Sequence, residues 1–514
     1  MKTSLHLRNA GFANQALAWF LLSIVAVCAI GWLLLRPKAS GPGSQAKQLR
    51  IFCAAGLKPA VVAAAHRYEA EYGVRIEFQF GGSGNLLNQL QVVRAGDLYL
   101  AGDQSFVMRA KELDLVQEVF PLAEMKPVLG VREGNPHQVQ SMADALDKDL
   151  RIGLAIPEAA AIGRLSRRYF QSTGLWNRLQ EKSKVFKTTV TELATDLQIG
   201  TLDVAVIWDA TVFQFDGLQS ISDPGLAQQL QTVALGVLKS SPSPTEALRF
   251  ARFLAAKDRG AIEFAAAGYQ ALEGDPWHPH PELLMMSGAM LQPAIEQSIQ
   301  AFEEREGVQI HRIYNGCGIL VAGMQSGQRP DLYFSCDQSF MDSVSDWFQP
   351  PLTVSSNPMV ILTQGGNPHQ ILRMEDFIKP GLKIGLGHPQ DSALGALTER
   401  LLASRNLAAP LREIGNLVVE SATGDYLVNQ MIVGSLDAAI VYASNAALAG
   451  EVLEIVPIDD PLAFAVQPLA TGKSTSHPQL AARLMRTLIG QDAEHRFAEL
   501  GFHWRLEPAS STHR

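Results

Sequence analysis

"GDLYLAGDQSFVMRA" (residues 96–110) returns as "PDLYFSCDQSFMDSV" (residues 330–344), 234 positions further along the chain. "LKPAVVAAAHRYEAEYGVRIEF" (57–78) answers "LQPAIEQSIQAFEEREGVQIHR" (291–312) at the same offset, and "GNPHQ" stands at both 134–138 and 366–370. Solenoid units repeat every ~20–50 residues, so a period this long is a whole domain occurring twice. The domain boundaries follow: 49–272 for the first copy, 273–282 for a Pro-rich polar linker, 283–508 for the second and 509–514 for a tail.

Within each copy the pattern is α/β. Val61, Ala65, Tyr68 and Tyr72 fall on one helical face, Ile295, Ile299 and Phe302 repeat it, and Gly73 and Gly307 stand where such a helix would stop. Val74, Ile76, Phe78 and Phe80 alternate as in a half-buried strand, while "DVAVIW" (203–208) and "DAAIVY" (437–442) read as buried parallel strands. Parallel sheets flanked by helices are expected, with ligands beyond the carboxyl ends of the strands.

The 514 residues, 47% apolar and 18% charged, suit several globular domains, and the net charge of −8 argues against nucleic acid as a partner. Ahead of the first copy, residues 16–35 ("ALAWFLLSIVAVCAIGWLLL") carry no charge, enough to span a ~30 Å hydrocarbon layer. Signal peptides have apolar runs of about 7–15 residues, so this run reads as an uncleaved transmembrane anchor. Residues 1–15 then precede the anchor and 36–48 form a tether, with Lys2 and Arg8 before the run and Arg36 and Lys38 after it leaving its orientation open; Ser44-Gln45-Ala46 is the alternative cleavage site. Cys28 lies in the run after Val27, a poor context for lipidation; Cys53, Cys317 and Cys336 show no metal spacing and cannot all pair internally.

"FQFGGSGNLLNQL" (78–90) places Gly81, Gly82, Ser83 and Gly84 between a strand and a helix, and "RIYNGCGILVAGM" (312–324) repeats it with Cys317 in place of Ser83. Glycines there would permit positive φ and close approach to a ligand, Ser83 would donate a hydroxyl, and the helix start would aim free N–H groups at an anion. No nucleotide-loop spacing is present. Asp103 and Asp337 of the repeated "DQSF" read as helix N-caps rather than catalytic acids, and "GNPH" as a turn with His137 and His369 exposed. His278 and His280 read as ordinary linker histidines.

"AAGLKPAV" (54–61), "GGSGNLLNQL" (81–90), "GDLYLAGDQ" (96–104), "IGLAIPEAAAIGR" (152–164) and "LQIGTLDVAVIWDA" (197–210) together resemble, in order and spacing, the molybdate-binding proteins of bacterial ABC importers. These are type II periplasmic binding proteins. The resemblance implies two α/β lobes per copy, joined by crossing strands and closing over a tetrahedral oxyanion. It implies export, hence an inner-membrane single-pass protein with its bulk periplasmic, and partners in an oxyanion (molybdate, tungstate or sulfate) and an ABC permease. It implies no enzyme, no separate cofactor, and no metal beyond that of a bound oxyanion.

The family holds its anion with two serines, backbone N–H groups and a tyrosine. Carried over, those positions are Gly56, Ser83, Ile162, Val190 and Trp208 in the first copy, and Met290, Cys317, Leu394, Gly424 and Tyr442 in the second. Both copies depart from the pattern. A competing expectation is therefore a ligand-sensing or envelope interaction module with one or both sites degenerate. An enzyme using Cys317 as nucleophile would need a positioned base. His311, six residues away on a strand, reads as structural.

Overall fold

The computed structural model describes residues 48–447 and 452–506, so the apolar run 16–35, its flanks and the tail 509–514 lie outside the described residues. Among the described residues no helix is long and apolar enough to cross a membrane.

The repeated helical face forms as its periodicity predicts. Helix Lys58–Tyr72 buries Ala60, Val61, Ala64, Ala65 and Tyr68, and helix Gln292–Glu306 buries Ala294, Ile295, Ile299 and Phe302. The second ends at Gly307, whose φ of 65° returns its N–H to the carbonyl of Glu303 at 2.8 Å.

In the first copy, strands β1 (Gln48–Ala54), β2 (Arg75–Gly81), β3 (Leu98–Ala101) and β4 (Val116–Met125) belong to the first lobe. Strands β5 (Pro127–Arg132), β6 (Ile152–Ala155), β7 (Val185–Lys187), β8 (Val204–Trp208) and β9 (Leu218–Ile221) build the second lobe. The chain then returns through β10 (Gln231–Leu238) and β11 (Gln270–Ala271). The sheets run β11-β4-β10-β3-β1-β2 and β7-β6-β8-β5-β9.

The second copy follows the same path. Its strands are β12 (Glu282–Gly288), β13 (Gln309–Asn315), β14 (Leu332–Phe334), β15 (Leu352–Gln364), β16 (Ile384–Gly387), β17 (Leu417–Ser421), β18 (Ala438–Tyr442), β19 (Leu453–Pro457), β20 (Phe464–Thr471) and β21 (His503–Trp504). Here β15 is unbroken. Its first half pairs with β20 and its second with β18 and β19, whereas Lys126 separates the corresponding β4 and β5.

The sheets are mixed rather than parallel. Strand β8 is fully buried and parallel to β6, as "DVAVIW" predicts, but antiparallel to β5, and β10 runs antiparallel to both β3 and β4. The cause is topological: the chain leaves the first lobe along β4–β5 and comes back along β10, so crossing strands must run against the parallel ones.

The Asp residues of "DQSF" cap helices. Asp103 Oδ1 accepts the N–H of Ser105 at 2.7 Å and Asp337 Oδ1 that of Ser339 at 3.1 Å. Asp103→Ala is expected to lower stability by about 1 kcal/mol, the usual worth of a cap, in denaturant titration. Both "GNPHQ" turns place their Asn and Gln at positive φ, and His137 and His369, exposed, face Asp203 and Asp437 at 3.4 and 3.3 Å.

The copies meet through a buried ion triad. Glu306, 2% exposed, receives Arg252 Nη1 of the first copy at 2.8 Å and Arg483 Nε of its own copy at 2.6 Å. Arg483 also stacks over Phe120 of the first copy, and Arg305 grips Glu118 with two bonds of 2.5 and 3.0 Å. The intervening polar segment is pinned rather than loose: Asp275 accepts the N–H groups of Gln479 and Leu480, both at 2.9 Å, at the start of helix Pro478–Leu488.

Candidate ligand-binding site

Three helices of the first copy begin at one point between its lobes. Ser83 opens helix Ser83–Val93, Ile162 is the second residue of helix Ala161–Ser172, and Val190 opens helix Val190–Gln198. Gly56, in the tight turn Ala55–Leu57, and Trp208, at the end of β8, complete the ring. All five expected residues line one cavity of ≈ 30 Å³, against roughly 10–15 Å³ needed to seat a water. No lining residue is charged. Helix N-termini supply free N–H groups and positive dipole ends, so a small anion can be held by neutral donors.

The glycines beside Ser83 serve a purpose other than the one expected. Gly82 has φ −74°, and none of Gly81, Gly82 and Gly84 adopts positive φ. The small size of Gly82 and Gly84 lets the second lobe close onto the first, whereas a Cβ on Gly81 would meet Leu86 of its own lobe. A Cβ on Gly82 would overlap the carbonyl oxygens of Ala159 and Thr188, and one on Gly84 would overlap that of Glu158. The Gly84 N–H donates to Ala159 O at 2.8 Å across the same gap. The second copy repeats the clamp: Gly316 abuts the carbonyls of Asp391 and Ala422, and Gly318 donates to Asp391 O at 3.1 Å.

Ser83 itself is 2% exposed, and its Oγ accepts the Gly102 N–H at 3.2 Å. A hydroxyl that accepts one bond keeps its hydrogen to donate. Gly102 has no side chain to cover that oxygen. Gly56 could take a Cβ only 3.1 Å from Val190 Cγ1, and its carbonyl is already held by the Tyr269 hydroxyl at 2.6 Å.

The second cavity, ≈ 20 Å³, is lined by Met290, Leu394, Gly424 and Tyr442, as expected, but not by Cys317. Cys336, standing where the first copy has Gly102, occupies the wall, and Cys317 Sγ lies behind it accepting the Cys336 N–H at 3.0 Å. The expectation for Cys317 as a lining residue is thus corrected by the side chain that Gly102 lacks. His311 pairs with Glu282 at 2.8 Å on the surface, while Cys317 is fully buried. The Tyr442 hydroxyl, buried, has no hydrogen-bond partner among the described residues, and burial pushes its pKa well up. Burial likewise raises Asp425, next to Gly424, against the opposing bond from Asn445 Nδ2 at 2.6 Å.

Sequence reasoning missed Tyr269, Thr189 and Cys336, which also line the cavities. Thr189 carries a readable capping box with Glu192. Cys336 and Gly102 stand at matching places in the repeated "DLY" segments. Tyr269 follows Gly268 as Phe502 follows Gly501, so the repeat marked the position but not its hydroxyl.

Comparison with known proteins gives the same picture of one domain used twice. The model of the bacterial extracellular solute-binding protein family matches residues 49–270 and again 283–503. A putative binding protein of Haemophilus influenzae is 29% identical over 204 residues, covering 40% of this chain and 83% of that protein. The molybdate-binding protein ModA of Mycobacterium tuberculosis is 26% identical over 225 residues, 43% of this chain and 84% of its own. Among solved structures, the Azotobacter vinelandii periplasmic molybdate-binding protein aligns with TM-score 0.39 and 17% identity, over 44% of this chain and 100% of that one. Each sequence relative thus spans most of its own length on less than half of this one, and with both halves matched by one family model the chain belongs to the bacterial extracellular solute-binding proteins, as a tandem duplication.

Proposed function

We propose that the first copy binds a small tetrahedral oxyanion of the molybdate type between its lobes and delivers it to an ABC permease. The observation that carries this reading is the neutral ≈ 30 Å³ cavity on which Ser83 and three helix N-termini converge. A cation would meet the wrong end of every helix. The similarity to ModA supports molybdate within the class. The apolar run 16–35 would tether the protein to the inner membrane with domains 49–272 and 283–508 outside, separated by linker 273–282.

The second copy keeps the clamp and the Tyr442 hydroxyl but has no hydroxyl at the position of Ser83. Met290, Leu394 and Cys336 give its cavity an apolar, sulfur-bearing wall, and Asp425 adds a carboxyl beside it where the first copy has Thr191. It is read as degenerate toward dianions, which favours a sensing or interaction role for this half. Calorimetry of the full chain with molybdate, tungstate, sulfate and phosphate tests both readings. One site per chain is expected, and Ser83→Ala should weaken it at least tenfold, as loss of a charge-assisted bond of about 1.5–3 kcal/mol requires. No heat at millimolar anion would sink the transport reading, and two equal sites would sink the degeneracy of the second.

A further inference from the structure

Cys317 and Cys336 occur together in the second copy, at the positions held by Ser83 and Gly102 in the first. Their sulfurs converge. A Cβ built on Gly288 would overlap the Cys336 sulfur and sit 3.3 Å from that of Cys317. Cys317 Sγ accepts the Cys336 N–H at 3.0 Å and lies 3.9 Å from the Ser335 hydroxyl, so its sulfur is already turned toward the Cys336 backbone. Cys336 faces the cavity between the lobes, whereas Cys317 is sealed behind it. Cys53 is buried in β1 of the other copy, which has no second cysteine to pair with it.

We propose that Cys317 and Cys336 are a redox pair, reached through the second cleft and closed to a disulfide by thiol–disulfide exchange with a small-molecule disulfide. The family's extracytoplasmic setting is one in which disulfides form and persist. Cys336, on the wall, loses its proton and attacks the incoming disulfide, making a mixed disulfide and releasing one thiolate, which takes up that proton. Cys317 then loses its proton and attacks the Cys336 sulfur, expelling the second thiolate, which is protonated in turn. One protein disulfide forms, two protein S–H bonds are lost, and the oxidant is reduced to two thiols. The new bond ties the loop after β14 to the first residue of helix Cys317–Gln325, beside the Gly318 N–H that holds the second lobe. Oxidation therefore acts on the clamp of the second copy and leaves the Ser83 site alone.

The full chain, reduced and then treated with oxidised glutathione, is alkylated under denaturing conditions and digested for mass spectrometry. The expected product is a cross-linked peptide pair joining Cys317 to Cys336, lighter by two hydrogens, with Cys53 alkylated. Cys317→Ser should stop the reaction at a glutathione adduct on Cys336. In the unmodified chain, recovery of Cys317 and Cys336 each alkylated, or of Cys336 glutathionylated beside a free Cys317, overturns the proposal. That measurement stands whether or not the variant folds. A melting temperature raised by several degrees on oxidation and restored by dithiothreitol would support the bond to the clamp, and an unchanged one would refute that part.

Discussion

Gly84→Ala is expected to weaken oxyanion binding by the first copy by at least about 100-fold, ~2.8 kcal/mol at 1.4 kcal/mol per tenfold. The added methyl would overlap the Glu158 carbonyl, which is backbone and cannot swing aside as a side chain would. Relief comes by holding the lobes apart, which withdraws the Ile162 and Val190 helix starts from Ser83. The same substitution inside a helix ordinarily stabilises by roughly 0.5–1 kcal/mol, so the open form gains while the closed form is lost. Calorimetry and Trp208 fluorescence should show lost affinity with an unchanged or raised melting temperature. Gly318→Ala provides the control, since it wedges the second copy and should leave first-copy affinity within about threefold. An unchanged affinity in Gly84→Ala would mean that closure onto this turn plays no part in binding.

Glu306→Ala is expected to cost about 3–5 kcal/mol in denaturant unfolding, because it strands two buried guanidiniums without a counter-charge. Burial alone would raise the Glu306 pKa, but Arg483 and Arg252 outweigh it and hold the carboxyl below its ordinary range. Burial pulls Arg252 down, yet a guanidinium stays charged at neutral pH. A folded pKa below the unfolded one means that this contribution is complete above about pH 4.3 and is lost as pH falls through the folded value. Urea midpoints followed from pH 7 to pH 3 should therefore converge for wild type and Glu306→Ala at the acid end. Replacing the triad together, Arg252→Met, Glu306→Leu and Arg483→Met, should be nearly neutral if the cost lies in the uncompensated charges. Equal losses in the single and triple variants would place it in packing instead.

The parts of the fold legible in the sequence are those carried by local chemistry. Val61, Ala65 and Tyr68 announce their helix by spacing, Asp103 and Asp337 announce caps, and "DVAVIW" announces a buried strand. Periodicity does not record strand direction, so the antiparallel crossing of β5 and β10 was invisible until the lobes were seen to exchange the chain. In the first copy repeat and motif order converge on helix starts, and Gly56, Ser83, Ile162, Val190 and Trp208 line one cavity, the feature on which the proposed anion site rests. Cys317 went astray because its position matches Ser83 while its exposure depends on residue 336, nineteen positions later. Glu306 sits in the run "EEREG", which reads as a solvated helix end until Arg252 and Arg483 arrive from distant segments.

The ion triad and the Arg305–Glu118 pair join the first lobe of one copy to the first lobe of the other, and Asp275 of the linker is bound to the second copy's lobe. If the proposed partner touched both copies, it would meet them across a junction held by these contacts. Where modules hang on a slack chain, the second attachment is governed by linker length; with a stiff junction it is either strongly favoured or sterically forbidden. On the proposed reading the duplication would act as a gauge of spacing, and a permease or sensor engaging both copies would have to match it.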